Sequence, residues 1–183
     1  MSRYHHIGGV RETEIKQYIR DVPDFPRAGI LFKDIAPLLG NAALLRAAIR
    51  SLLDRYQSMS IETVVAIESR GFIFGAPLAY ELGVPFHMAR KKGKLPYRTI
   101  EQCYALEYGS ATIALHTDAI RRGERVLVID DLLATGGTAA ATCTLVERLG
   151  GTVVECAFLI ELAFLGGRDR VGDYNVCTVV RYE

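Results

Sequence analysis

The chain has 183 residues, half of them apolar, and its 22 basic and 21 acidic side chains leave a formal net charge of +1. This length suits one domain with a buried core, and the nearly neutral charge gives no electrostatic basis for a nucleic-acid partner. No apolar run approaches the roughly 20 residues that cross a bilayer, so no membrane partner is expected. The four cysteines form no C-x-x-C pair, which indicates reduced thiols in a cytoplasmic protein.

The first third of the chain reads as helices separated by a shaped loop. A short helix is predicted over Glu12–Arg20, and the two prolines and the glycine that follow, within residues 21–29, indicate a loop. Asn41 is a suitable N-cap for a helix that runs through Tyr56, since leucine, isoleucine and alanine recur there at helical spacing.

From residue 63 onward, strands and helices alternate. In chain order we predict strand 63–67, helix 73–82, strand 85–89, strand 126–129, helix 138–149, strand 152–160 and strand 176–182. The runs Thr-Val-Val-Ala-Ile at 63–67 and Val-Leu-Val-Ile at 126–129 are solidly apolar and β-branched, which is typical of a parallel sheet covered by helices on both faces, an α/β fold. Between Arg90 and Ser110 the sequence is basic, punctuated by glycine and proline and without periodicity, so a long mobile loop is predicted.

The clearest chemical signal is the segment 126–138, in which a buried strand ends in Asp130 and Asp131 and a loop of small residues opens a helix. Backbone N–H groups of such a loop can surround a phosphate, and the positive end of the helix dipole attracts it. The loop residues are Ala134, Thr135, Gly136, Gly137 and Thr138. No lysine follows the glycines, which excludes a Walker A loop. The two carboxylates are suited to accept hydrogen bonds from sugar hydroxyls, provided that the strand ends there.

A second anion-binding turn is predicted at Ser69, Arg70 and Gly71, again between a buried strand and a helix. Arg70 offers a planar fork of donors to a diphosphate, and Gly71 lets the backbone approach closely. The alternative is an arginine that pairs with Glu68 across the turn. Arg90, Lys91 and Lys94 belong to a cluster of a kind that, taken alone, more often forms a solvated loop.

In chain order, the segments 25–35, 68–75, 90–96, 106–109 and 126–138 resemble those of the type I phosphoribosyltransferases, and Asp-Asp-Leu-Leu-Ala-Thr-Gly-Gly-Thr resembles the motif of the adenine branch. The resemblance spans residues 20 to 165. It implies a single domain over 1–183 with a mainly parallel sheet, a small N-terminal hood at about 11–40 that binds the purine, and a flexible catalytic loop at about 90–110. It also implies a homodimer that transfers the 5-phosphoribosyl group of 5-phosphoribosyl-1-diphosphate (PRPP) to adenine, giving AMP and diphosphate.

The same resemblance implies roles for individual residues. Asp130, Asp131 and the loop 134–138 would bind the ribose and the 5-phosphate, while Ser69, Arg70 and Gly71 would bind the diphosphate. Arg90, Lys91 and Lys94 would join them at the diphosphate, with Arg90 acting in its own or a neighbouring subunit. Glu107 would be the catalytic acid/base, with Arg70 assisting the leaving group. Leu31, Phe32, Lys33 and Leu162 would bind the purine. Mg²⁺ is the implied cofactor, held mainly by PRPP and water rather than by a protein cage.

Two other functions are compatible with a PRPP site. A transferase for a 6-oxopurine would use the same phosphate apparatus, because that apparatus does not read the base. A PRPP-sensing regulator would keep the phosphate loop without turnover, but it would need a DNA-reading module or a basic face, and neither is evident in the sequence.

Overall fold

The computed structural model describes residues 12–105 and 109–183. It divides the chain into two compact units, Met1–Asp54 and Arg55–Glu183. Within the described residues, no helix is both long and apolar enough to cross a membrane. The expected division into one domain with an N-terminal hood at about 11–40 stays a prediction.

The first unit begins with a small antiparallel ribbon. Its elements are α1 (Glu12–Lys16), β1 (Arg20–Pro23), β2 (Leu31–Asp34), α2 (Ala36–Leu39) and most of α3 (Ala42–Tyr56). The predicted helix Glu12–Arg20 was too long, because the chain from Arg20 pairs with β2, and the Arg20 guanidinium contacts Asp34 at 2.8 Å. The expected loop at 21–29 therefore begins as a strand, and this pairing joins residues too distant in sequence for local pattern to reveal.

The predicted N-cap of α3 is confirmed. The side-chain oxygen of Asn41 accepts hydrogen bonds from the N–H groups of Ala43 at 3.1 Å and Leu44 at 3.2 Å. These are donors that the first turn of a helix leaves without intrahelical partners, so the cap fixes where α3 begins.

The second unit is built on a seven-stranded sheet with the order β5-β6-β4-β3-β7-β8-β9. Its strands are β3 (Thr63–Ile67), β4 (Phe86–Lys91), β5 (Thr99–Ala105), β6 (Ser110–His116), β7 (Arg125–Leu133), β8 (Thr152–Leu162) and β9 (Val176–Tyr182). Its helices are α4 (Gly71–Leu82), α5 (Gly137–Arg148) and α6 (Gly167–Val171), with a short 3-10 helix at Ala163–Leu165. Five consecutive strands of this order, β4, β3, β7, β8 and β9, run parallel, which confirms the predicted α/β architecture.

Burial accounts for the parallel core of this sheet. Every residue of β3 is buried, and β7 is buried from Val126 to Ile129. Strands of this kind expose no face to water, so helices must cover them. The predicted bounds of β3 and β9 match the structure.

The prediction of a loop over 90–110 was wrong for part of its length. Thr99–Ala105 forms β5, which pairs antiparallel with β6 and extends the sheet at one edge. β5 is only partly buried, so its sequence lacks the apolar run that marks the central strands. Mobility of this segment stays a prediction.

The second correction concerns β7, which was expected to end at Ile129. The strand continues to Leu133, because Leu132 and Leu133 pair with β8 opposite Ile160 and Glu161. Asp130 and Asp131 therefore lie within a strand, where neighbouring side chains point to opposite faces.

Candidate active site

Two turns lie side by side at the carboxyl edge of the sheet, where the parallel strands end. β3 and β7 are adjacent parallel strands, and each is followed by a turn that leads into a helix, α4 or α5. Because ligands of open α/β sheets bind at the carboxyl ends of the strands, this edge is the candidate active site. It contains both turns that the sequence singled out.

Glu68 organises the first turn. Its carboxylate accepts a hydrogen bond from Arg90 Nε at 2.8 Å and another from the Lys91 N–H at 3.0 Å, and the Glu68–Ser69 peptide bond is cis. Desolvation alone would raise the pKa of Glu68, but these hydrogen bonds hold its pKa below the ordinary value. The carboxylate is thus ionised and ties the end of β4 to the end of β3.

Arg90 was expected to bind diphosphate, but its guanidinium already has partners within the chain. Its guanidinium is shared between Glu68 and the carbonyl oxygen of Lys94, which lies 2.9 Å from Nη1. The side chains of Lys91 and Lys94 are exposed beside this turn. The segment 90–94 is therefore an ordered turn next to Ser69, with Arg90 holding it in place.

Arg70 pairs with Asp131 rather than with Glu68, so the alternative considered for this turn is not what forms. Arg70 Nε lies 2.8 Å from Asp131 Oδ2, and the Asp131 side chain is only 5% exposed. Gly71 lies against Asp130: a Cβ there would be 2.8 Å from Asp130 Oδ1 and 3.0 Å from the carbonyl oxygen of Ile129. The first turn is therefore packed directly onto the two aspartates of β7.

The second turn is shaped by Gly136, which has φ +77°. A side chain at this position would also collide with the carbonyl oxygen of Gly167, at the start of α6. In the same way a Cβ at Gly167 would collide with the carbonyl oxygen of Ala134. The two backbones are thus in contact, and the start of α6 packs against the loop.

The rest of the predicted phosphate loop lies at the amino end of α5. Thr135 is exposed, and Gly137 begins the helix. The Thr138 hydroxyl donates a hydrogen bond to the phenolic oxygen of Tyr104 on β5 at 3.0 Å. The amino end of a 12-residue helix with small residues around it is a suitable place for a phosphate.

The two aspartates are held in an unfavourable environment. Burial raises the pKa of Asp130 well above its ordinary value, and the neighbouring charge of Asp131 raises it further. The pKa of Asp131 is also raised by burial, although Arg70 opposes the shift. Carboxylates removed from water are costly unless they serve a function, and here Asp131 is buried and Asp130 half-buried. Perturbed acids of this kind cluster at functional sites.

This environment leads to a prediction for Asp130→Asn. A carboxyl whose pKa is higher in the folded state stabilises the fold at low pH and loses that contribution as the pH rises through the folded pKa. The variant should therefore lose less stability than the wild type between pH 5 and 8, and at pH 8 its free energy of unfolding should be about 1 kcal/mol higher. Urea unfolding at both pH values measures this.

The exposed Asp173→Asn change is the control for Asp130→Asn, and it should alter stability by less than about 0.5 kcal/mol at either pH. Equal slopes for the wild type and Asp130→Asn would contradict the idea that Asp130 is electrostatically strained.

The predicted purine residues lie in both units. In the first unit, Leu31, Phe32 and Lys33 form β2, where Leu31 is exposed and Lys33 is buried with its ammonium paired to Asp21 on β1. The rings of Phe32 and Phe25 pack edge to face, with their centroids 5.1 Å apart. In the second unit, Leu162 is buried at the end of β8.

Three residues of the site were not assigned roles from the sequence. Glu68, Tyr104 and Gly167 each contact a predicted site residue, namely Arg90, Thr138 and Gly136. Only Glu68 carried a usable signal, since it is an acidic residue directly after the buried strand β3. Glu107, the predicted acid/base, lies outside the described residues.

The fold and the site together define an α/β protein with two adjacent strand-to-helix turns, both predicted to bind anions, at the carboxyl edge of its sheet. The family model of the phosphoribosyl transferase domain matches residues 36–181. An adenine phosphoribosyltransferase of Nitrosococcus oceani is 56% identical over 168 residues, which are 92% of this chain and 98% of the relative.

Solved structures agree with the sequence comparison. The adenine phosphoribosyltransferase of Rhodothermus marinus superposes with a TM-score of 0.89 at 56% identity, covering 93% of this chain and 98% of that one. The Saccharomyces cerevisiae enzyme, crystallised with adenine and an imino-altritol bisphosphate, gives 0.87 at 39% identity, with 92% and 98% covered. The chain belongs to the phosphoribosyltransferase family, in its adenine phosphoribosyltransferase branch.

Proposed function

We propose that this protein transfers the 5-phosphoribosyl group of PRPP to adenine, giving AMP and diphosphate, a reaction of purine salvage. The observation that carries the proposal is the pair of anion-binding turns after the adjacent strands β3 and β7. PRPP has a phosphate at one end and a diphosphate at the other, with a ribose between them, and two carboxylates lie between the turns. The relatives named above favour adenine as the acceptor.

In this proposal each turn binds one end of PRPP. The backbone N–H groups of residues 134–138 and the Thr135 hydroxyl bind the 5-phosphate, and the dipole of α5 adds attraction. The Thr138 hydroxyl itself donates its proton to Tyr104. Ser69, Arg70 and Gly71 bind the diphosphate, with Lys91 and Lys94 adding positive charge beside it. The exposed position of both lysines supports this role. Arg90, already engaged by Glu68, acts mainly by holding the turn.

The chemistry forms a bond between a purine ring nitrogen and the anomeric carbon of PRPP, while the bond from that carbon to the diphosphate oxygen breaks. Positive charge develops on the ribose as the leaving group departs. Although β7 continues past them, both carboxylates lie beside the first turn, Asp131 against Arg70 and Asp130 against Gly71. They accept hydrogen bonds from the ribose hydroxyls and offset that charge, while Arg70 stabilises the departing diphosphate. The proton from the purine nitrogen passes to Glu107 as general base.

The remaining assignments are also proposals. The purine is recognised by Leu31, Phe32, Lys33 and Leu162. Closure of the part of segment 90–110 that lies outside β5 excludes water from the reacting ribose. A homodimer in the cytoplasm is the expected working form. The four cysteines are all free thiols, which fits a reducing compartment.

Mg²⁺ is the proposed cofactor. Across residues 12–105 and 109–183, no group of three or more histidine, cysteine or acidic side chains could hold a metal ion. Asp130 and Asp131 are hard oxygen donors, but Arg70 already occupies one of them. PRPP oxygens and water would therefore supply most of the ligands, and the bound ion would offset charge on the diphosphate.

The proposal is tested by diphosphate release from PRPP and Mg²⁺ with adenine, hypoxanthine, guanine or xanthine added in turn. We expect turnover with adenine alone. The Glu107→Gln variant should lower kcat by roughly 10²- to 10⁴-fold, the usual contribution of a general base. Glu81→Gln, the same change at an exposed site on α4, is the matched control and should keep full activity.

Each other outcome assigns the protein differently. Turnover only with a 6-oxopurine would move it to another branch of the family. Tight PRPP binding without turnover on any base would favour a PRPP-sensing regulator. Full activity of Glu107→Gln would remove Glu107 from the chemistry and leave the transfer reaction in place.

A further inference from the structure

Tyr104, near the end of β5, lies directly over the start of α5. A Cβ on Gly137 would be 3.1 Å from Cδ2 of the Tyr104 ring and 3.4 Å from the carbonyl oxygen of Ala105. The phenolic oxygen of Tyr104 lies 3.0 Å from the Thr138 hydroxyl. The tyrosine therefore contacts two consecutive residues of the proposed phosphate loop.

The position of this ring is fixed by its surroundings. Tyr104 is partly buried and packs against the apolar core of the second unit, and its backbone is held in the β5–β6 ladder opposite Ala111. A phenol held by packing loses little conformational freedom when it makes a further hydrogen bond, so its hydroxyl is preorganised.

The hydrogen-bond inventory of this pair leaves one donor over. A hydroxyl has one proton to donate and two lone pairs to accept with. Thr138 donates its proton to the Tyr104 oxygen, where it occupies one of the two lone pairs. The proton of the Tyr104 hydroxyl takes no part in this bond. Among residues 12–105 and 109–183, no acceptor takes that proton. A donor beside the amino end of a helix is suited to an anionic oxygen.

We infer that Tyr104 is a further binding residue for the 5-phosphate: it holds the Thr138 hydroxyl and donates its own proton to a phosphate oxygen. The inference rests on the proposed function, since it concerns the same phosphate. PRPP and AMP both carry the 5-phosphate, whereas diphosphate and adenine do not. Tyr104 should therefore contribute equally to binding the first two ligands and nothing to binding the others.

The test is the Tyr104→Phe variant, which keeps the ring and its packing but removes the hydroxyl. Calorimetry with Mg²⁺ present would measure the Kd of AMP, PRPP, diphosphate and adenine. We expect AMP and PRPP to bind about tenfold more weakly, as for one lost hydrogen bond to a charged group. The Kd values of diphosphate and adenine should stay within about twofold of wild type, within the scatter of such differences. Tyr80→Phe, the same change at an exposed position on α4, should leave all four unchanged.

The possible results separate this inference from the function on which it rests. Wild-type protein that neither binds AMP nor turns over adenine would refute the proposed function. Wild-type binding with unchanged AMP affinity in Tyr104→Phe would refute the inference alone. Equal weakening of AMP and diphosphate would also overturn it, because that pattern indicates a general distortion of the site.

Discussion

Gly136→Ala is expected to weaken PRPP binding by about a hundredfold, the loss that a displacement of roughly 1 Å can produce in a preorganised site. Gly136 has φ +77°, a backbone angle that a residue with a side chain adopts only with strain. Its Cβ would also collide with the carbonyl oxygen of Gly167, and backbone cannot move aside as a flexible side chain can. The loop must therefore shift away from α6, and its N–H groups no longer point at one phosphate position.

The same variant should be less stable by about 2–4 kcal/mol, from the backbone conformation and the overlap together. Gly123→Ala is a matched control, because Gly123 has φ +82° and nothing within 4 Å of a Cβ there. It should lose only about 1 kcal/mol and keep its PRPP affinity. Urea unfolding and PRPP calorimetry measure both quantities. If the two variants behaved alike, contact with Gly167 would have no part in shaping the loop.

Arg70→Gln is expected to abolish most activity and to destabilise the fold. The change leaves the buried carboxylate of Asp131 without its cation, which should lower the free energy of unfolding by about 2 kcal/mol at pH 8. This is less than for a fully buried pair, because the Arg70 side chain is 31% exposed. Diphosphate release should fall about a hundredfold or more, as when a transition-state donor is removed.

The stability loss in Arg70→Gln should depend on pH. Arg70 lowers the pKa of Asp131, which burial raises, so its removal raises that pKa further. A raised folded-state pKa means that stability is lost as the pH rises, and the penalty should therefore be smaller at pH 5 than at pH 8. Urea unfolding at the two pH values would test the sign.

Arg55→Gln separates stability from function in this experiment. Arg55 makes two hydrogen bonds of 2.6 Å to Glu155, a buried carboxylate on β8 away from the candidate site. This variant should also lose about 2 kcal/mol of stability yet keep its turnover at a temperature where it is folded. Activity losses of equal size in both variants would mean that Arg70 acts only through stability.

Local sequence was sufficient where one strand or turn contains its own signal. The apolar run of β3 is buried along its whole length, and Asn41 caps α3 through contacts with residues two and three positions away. The motif 130–138 could be interpreted chemically for the same reason, since a strand, a glycine loop and a helix start are consecutive in sequence. The sequence by itself thus determined the α/β class, the position of both strand-to-helix turns and the family resemblance.

The tertiary structure decided which residues meet across long sequence separations. β7 extends past its aspartates because β8 offers partners to Leu132 and Leu133, and β5 is a strand because β6 lies beside it. Hydrogen-bonded pairing with a neighbouring strand can override a weak local pattern. The ion pairs Arg70–Asp131 and Arg90–Glu68 likewise join residues brought together only when the parallel strands align. Sequence spacing shows which groups are available, but folding alone sets which of them touch.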